Sequence, residues 1–220
     1  MQTAMEKGSN KELREAVLRQ LEWSPEIASE DIGVSAKEGA VTLSGFVHSY
    51  AEKVAAEKAA KGVYGVLAVA NDIEVRPGTR TDPEIARDIV QALRLDATVP
   101  DERLKVSVQN GFVTLDGTTD WHYQRDAAQS CARKVSGVRG LLNKIEVNPR
   151  VSTVEVKAKI EAALRRSAEV DARRITVSAQ DGAVTLHGNV RSWFEREEAE
   201  RAAWAAPGVS RVIDNIAVVP

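Results

Sequence analysis

A chain of 220 residues with 43% hydrophobic and 28% charged side chains has the composition of a folded globular protein. No stretch approaches the roughly 20 apolar residues of a transmembrane helix. A formal net charge of −2, with no repeat carrying an excess of basic residues, gives no electrostatic reason to expect nucleic-acid binding.

The opening residues, MQTAMEKGSNKELREAV, turn charged before any apolar run of signal-peptide length, which predicts a cytoplasmic protein. Residues 1–9 read as a tail. From Asn10 onward the chain repeats itself three times, over 10–77, 82–149 and 153–220. From Ile32, Leu104 and Ile175 each copy runs to a proline (Pro77, Pro149, Pro220) without an insertion. Columns held by one residue type throughout include Val34, Ser35, Gly39, Val41, Thr42, Leu43, Gly45, Ala56, Ala60, Gly65, Val66, Ile73 and Val75, in first-copy numbers. Chance does not produce that, so the chain is a tandem array. The joints, GTRT at 78–81 and RVS at 150–152, are short and leave the units little room to swing.

Within each unit the periodicity changes in a fixed order. Asn10, Asp82 and Thr153 are predicted helix N-caps, each followed two places later by a glutamate that suits the positive helix end. Apolar residues at i, i+4 and i+8 follow: Leu13, Val17, Leu21; Ile85, Ile89, Leu93; Val156, Ile160, Leu164. Two short strands come next, joined by Glu38-Gly39, Asn110-Gly111 or Asp181-Gly182. The last two pairs favour a two-residue type I′ hairpin, which predicts a register pairing Ser35 with Thr42 and Val34 with Leu43.

Ser49-x-x-Glu52 and Ser192-x-x-Glu195 are capping-box patterns that open a second helix, with Asp120 the expected cap in the middle copy. Ala56 and Ala60 lie on one helix face, with Ala128/Ala132 and Ala199/Ala203 in the same columns. Gly65, Gly137 and Gly208 suit a left-handed helix stop, and a third strand closes the unit through Ile73 and Val75. The predicted fold class is α+β: three α-β-β-α-β units, each a small three-stranded mixed sheet covered by two helices.

GxVTLxG, an alanine-bearing helix, GV and a closing I-x-V, recurring three times over 10–220, resemble the BON domain (bacterial OsmY and nodulation). The resemblance implies a non-catalytic module of envelope or stress-response proteins, associated with phospholipid surfaces or other macromolecules. Some members are implicated in potassium sensing.

The residues offer no constellation for catalysis, and no cofactor or metal is expected. His48, His122 and His187 occupy different columns and read as surface histidines. Cys131 stands in an alanine column (Ala59, Ala202) and reads as a small buried residue. Gly62-Val63-Tyr64-Gly65 and Gly137-Val138-Arg139-Gly140 match a KH-type GxxG by letter, but precede the last strand and read as helix termination. Arg165, Arg166, Arg173 and Arg174 flank Glu169 and Asp171, which suits a salt-bridged surface. The Ser–Thr pair reads as cross-strand pairing on the outer sheet face.

The candidate binding residues cluster at the start of the second helix: Tyr50; Trp121 and Tyr123, with Arg125; Trp193 and Phe194, with Arg191 and Arg196. Aromatic rings there suit a membrane interface or a protein partner, the arginines suit anionic headgroups, and the competing reading is packing between units. The sequence thus points to a non-enzymatic, multivalent protein binding an anionic phospholipid surface or another protein, with no nucleic acid involved. Alternatives are a small-ligand or potassium-ion sensor and a chaperone-like adaptor. Oligomeric state stays open.

Overall fold

A computed structural model describes residues 2–148, 156–166, 174–180 and 182–219. Unit 1 comprises α1 (Gln2–Trp23), β1 (Ile32–Lys37), β2 (Ala40–Val47), α2 (Tyr50–Lys61), β3 (Ala68–Asn71) and β4 (Glu74–Val75). Unit 2 repeats it with α3 (Asp82–Leu95), β5 (Leu104–Gln109), β6 (Phe112–Thr119), α4 (His122–Arg133), β7 (Gly140–Asn143) and β8 (Glu146–Val147). Unit 3 has α5 (Val156–Arg166), β9 (Ile175–Gln180), β10 (Ala183–Val190), α6 (Trp193–Trp204) and β11 (Arg211–Val218). This is the expected α-β-β-α-β order. The predicted single closing strand is continuous in unit 3, whereas in units 1 and 2 it breaks into two short segments along the same central strand.

The hairpin turn sets the register. Glu38 and Gly39 have φ of 50° and 81°, Asn110 and Gly111 of 53° and 79°, the pair of positive values a type I′ turn requires. Ser35 then faces Thr42, Ser107 faces Thr114 and Ser178 faces Thr185, as predicted. Asp181, the first residue of the third turn, lies outside the described residues. The closing strand lies parallel to the central one on its other edge, so each sheet is mixed.

Alternation then separates the faces. Val41 and Leu43 are buried with Val17, Leu21, Ala56 and Ala60 beneath the two helices, while Ser35 is exposed on the other face. Each unit owns one such apolar cluster. The glycine column at 45, 117 and 188 also has a physical cause. Each glycine has positive φ, and a Cβ there would be driven into the carbonyl oxygen of Asp31, Arg103 or Arg174 just before the first strand.

Four local expectations need correction. Helix α1 does not start after Asn10; it begins at Gln2. The Asn10 side chain instead accepts a hydrogen bond from the Glu38 backbone N–H at 2.8 Å, and so braces the hairpin turn rather than capping a helix. Asp82 does the same twice over, accepting from the N–H groups of Asn110 (2.7 Å) and Gly111 (2.9 Å). Helix α3 is capped one residue earlier, by Thr81, whose N–H and hydroxyl both donate to Glu84. Thr153, the third member of this column, lies outside the described residues.

In the middle unit Trp121, not Asp120, is the N-cap of α4, because Asp120 is drawn into a two-pronged pair with Arg103 at 2.9 and 3.0 Å. Finally, the second helices end at Lys61, Arg133 and Trp204, with right-handed C-cap residues. Gly65, Gly137 and Gly208 come a few residues later, where their positive φ turns the chain into the closing strand.

Candidate functional site

The starts of α2, α4 and α6 carry every residue of the predicted site. Ser49 and Ser192 accept hydrogen bonds from the N–H groups of Glu52 and Glu195, which anchors the first turns of α2 and α6. In the middle unit Gln124 folds back to accept from the N–H groups of Asp120 and Trp121. Buried Thr119 donates its hydroxyl to the Trp121 carbonyl at 3.2 Å, and the Arg103–Asp120 pair braces the same corner. The aromatic residues therefore stand on fixed helix ends rather than on loops.

The structure sorts them into two sets. Trp121, Tyr123 and Phe194 are exposed at 37%, 57% and 48%. Tyr50 is half-buried against the core of unit 2, where its phenol oxygen accepts from the Leu141 main-chain N–H. Burial raises the Tyr50 pKa above its ordinary 10.0, partly offset by that bond and by Arg133. Trp193 is also half-buried, with its indole nitrogen enclosed and, among the described residues, without a hydrogen-bond partner. The Lys61 ammonium of unit 1 sits 5.1 Å from the Trp193 ring centroid, and Arg196 stacks over the same ring at 4.9 Å.

The three arginines divide as well. Arg191 is exposed. Arg196 donates through Nε to Asp214 at 2.6 Å, and Arg125 is half-buried with its Nε enclosed and unpartnered among the described residues. Only Arg191 of the three stands free of such packing.

His122 departs from the surface-histidine expectation. It is stacked on Trp204 of unit 3, and its Nδ1 lies 3.1 Å from the Asp126 carboxylate. Trp204, outside the predicted set because it ends its helix rather than beginning it, donates its indole N–H to Glu200. Between units 2 and 3, His122, Asp126 and Trp204 line an open groove of about 680 Å³, together with Trp121, Tyr123 and Arg201.

Cys131 is half-buried, its thiol directed at the Asp96 carboxylate at 3.5 Å. Among the described residues, no group of three or more His, Cys, Asp or Glu side chains is placed to hold a metal ion, and no helix is long and apolar enough to cross a membrane. Of the predicted basic cluster, Arg173, Glu169 and Asp171 lie outside the described residues.

Three copies of one α-β-β-α-β module, each with its own core and joined by short links, define a tandem-module protein. The chain belongs to the BON domain family, whose pattern matches residues 9–77, 81–149 and 152–220. It is 39% identical to osmotically-inducible protein Y of Escherichia coli (strain K12) over 54% of this chain; the matched region spans 63% of that relative's length. It is 29% identical to the outer membrane lipoprotein DolP of Haemophilus influenzae (strain ATCC 51907 / DSM 11121 / KW20 / Rd), covering 69% of this chain and 83% of that protein. It is 27% identical to a 21 kDa hemolysin of Actinobacillus pleuropneumoniae over 63% and 75% of the two chains. One of these names places its bearer at the outer membrane, so the relatives lend the cytoplasmic expectation no support.

Proposed function

We propose that this chain is a non-enzymatic, multivalent binding protein that associates with anionic phospholipid surfaces of the cell envelope under osmotic stress. The observation that carries this reading is the exposure of Trp121, Tyr123 and Phe194 on braced helix ends of adjacent units. Amphipathic rings at such positions partition into the headgroup region, and several weak contacts on one body add by avidity. Arg191, exposed beside Phe194, supplies an anion-directed charge. With a net charge of −2 the electrostatic share is small, so binding depends more on ring insertion than on salt. The names of two relatives, an osmotically-inducible protein and an outer membrane lipoprotein, support the setting.

Flotation with phosphatidylglycerol vesicles against phosphatidylcholine vesicles tests this. The triple substitution Trp121→Ala, Tyr123→Ala, Phe194→Ala should abolish flotation at an unchanged melting temperature. Absence of flotation by the unsubstituted chain, or equal flotation of the variant, overturns the proposal.

A further inference from the structure

One column of the repeat takes part in a contact between units each time, and a second column supplies its partner in two of the three. Tyr50, His122 and Trp193 share one column and are the first residues of α2, α4 and α6; Lys61, Arg133 and Trp204 share another and are the last. Tyr50 of unit 1 packs on unit 2 within the field of Arg133. His122 of unit 2 stacks on Trp204 of unit 3. Trp193 of unit 3 carries the Lys61 ammonium of unit 1 over its ring.

We infer that the chain closes into a ring with threefold pseudo-symmetry, held by one self-recognition surface used three times, in which the partner of each unit is the next unit. A head-to-tail contact repeated in this way either closes or propagates without end. Here the third contact returns to the first unit, although Lys61 and Trp193 are remote in sequence. Each contact seats an aromatic or imidazole ring from the helix start on the next unit. Junction 3–1 sets the Trp193 ring against the Lys61 ammonium, junction 2–3 sets an imidazole against an indole, and junction 1–2 sets the Tyr50 ring against the core of unit 2.

Closure explains why three copies occur in one chain: each unit offers one knob and one socket, and three units leave neither unsatisfied. It also sets Tyr123 and Phe194, which share a column, at equivalent places about one axis. The inference stands whether or not those rings meet lipid.

The test places a bimane label on Lys61→Cys in the full chain, with Cys131→Ala to remove the native thiol. A tryptophan quenches bimane only near contact. Emission should rise severalfold when Trp193→Phe is added, and the quenching in its absence should not change on dilution. Equal emission with and without Trp193, or quenching that fades on dilution, overturns the ring. If the Trp193→Phe chain fails to fold, X-ray scattering of the unsubstituted chain decides. A monomer within a few ångström of the roughly 17 Å radius of gyration expected for a compact body of this length upholds closure. A concentration-dependent oligomer or an extended row of units refutes it.

Discussion

The imidazole of His122 lies nearly parallel to the indole of Trp204, with ring centroids 4.0 Å apart and planes inclined by 15°. One ring begins the second helix of unit 2 and the other ends that of unit 3. Trp204→Ala removes the stack and the indole bond to Glu200, and should cost about 1–3 kcal/mol in urea unfolding. Trp204→Phe keeps a ring against the imidazole and should lose clearly less. Phe194→Ala, an exposed change, should stay within about 0.5 kcal/mol. Equal losses from Trp204→Ala and Phe194→Ala would show that the stack does not form in solution.

The two faces of the first sheet should respond differently to substitution. Leu43 is fully buried, and Leu43→Ala leaves a cavity worth about 2–5 kcal/mol. Thr42 lies half-buried on the opposite face, so Thr42→Val should cost much less. Denaturation midpoints of the two variants measure the difference.

Asp82 ties the start of α3 to the hairpin turn of its own unit through two backbone N–H groups. Asp82→Ala should cost about 1–2 kcal/mol, because both donors fall back on water and the helix loses a favourable charge at its positive end. Asp82→Asn should recover part of the loss, since Asn10 makes one such bond in the first unit. Amide exchange at Asn110 and Gly111 should accelerate in the alanine variant while β6 stays protected.

Cys131 should react slowly with thiol reagents. Burial raises its pKa first, and the hydrogen bond and negative charge of Asp96 raise it further. A raised thiol pKa leaves less thiolate, the reactive form, near neutral pH. Asp96→Asn removes the charge and should speed labelling of the folded chain. An unchanged or slower rate would mean that access, not ionisation, limits the reaction.

Much of this fold is legible in the sequence because its determinants act over a few residues. A two-residue turn admits one hairpin register, and alternation assigns faces, so Ser35 opposite Thr42 and the burial of Leu43 follow from local rules. The helix caps do not follow from local rules in this way. Asn10, Asp82 and Asp120 have the side chains of helix caps, but each is claimed by a stronger partner brought near by folding: the hairpin N–H groups in the first two cases, the Arg103 guanidinium in the third. A propensity rule sees only the neighbours in sequence and cannot rank those competitors.

The aromatic residues mark the boundary most clearly. Sequence places Tyr50, Trp121, Tyr123, Trp193 and Phe194 on the first turns of three equivalent helices. Which of them face solvent depends on how three finished units meet, and that meeting leaves no periodic trace. Tyr50 and Trp193 stand at the helix position that faces the neighbouring unit; Tyr123 and Phe194, one residue later, stay exposed. Local rules determined the units and their order. Only the tertiary structure, through the fit of one unit's helix start to the next unit's helix end, decided which side chains are left for a partner.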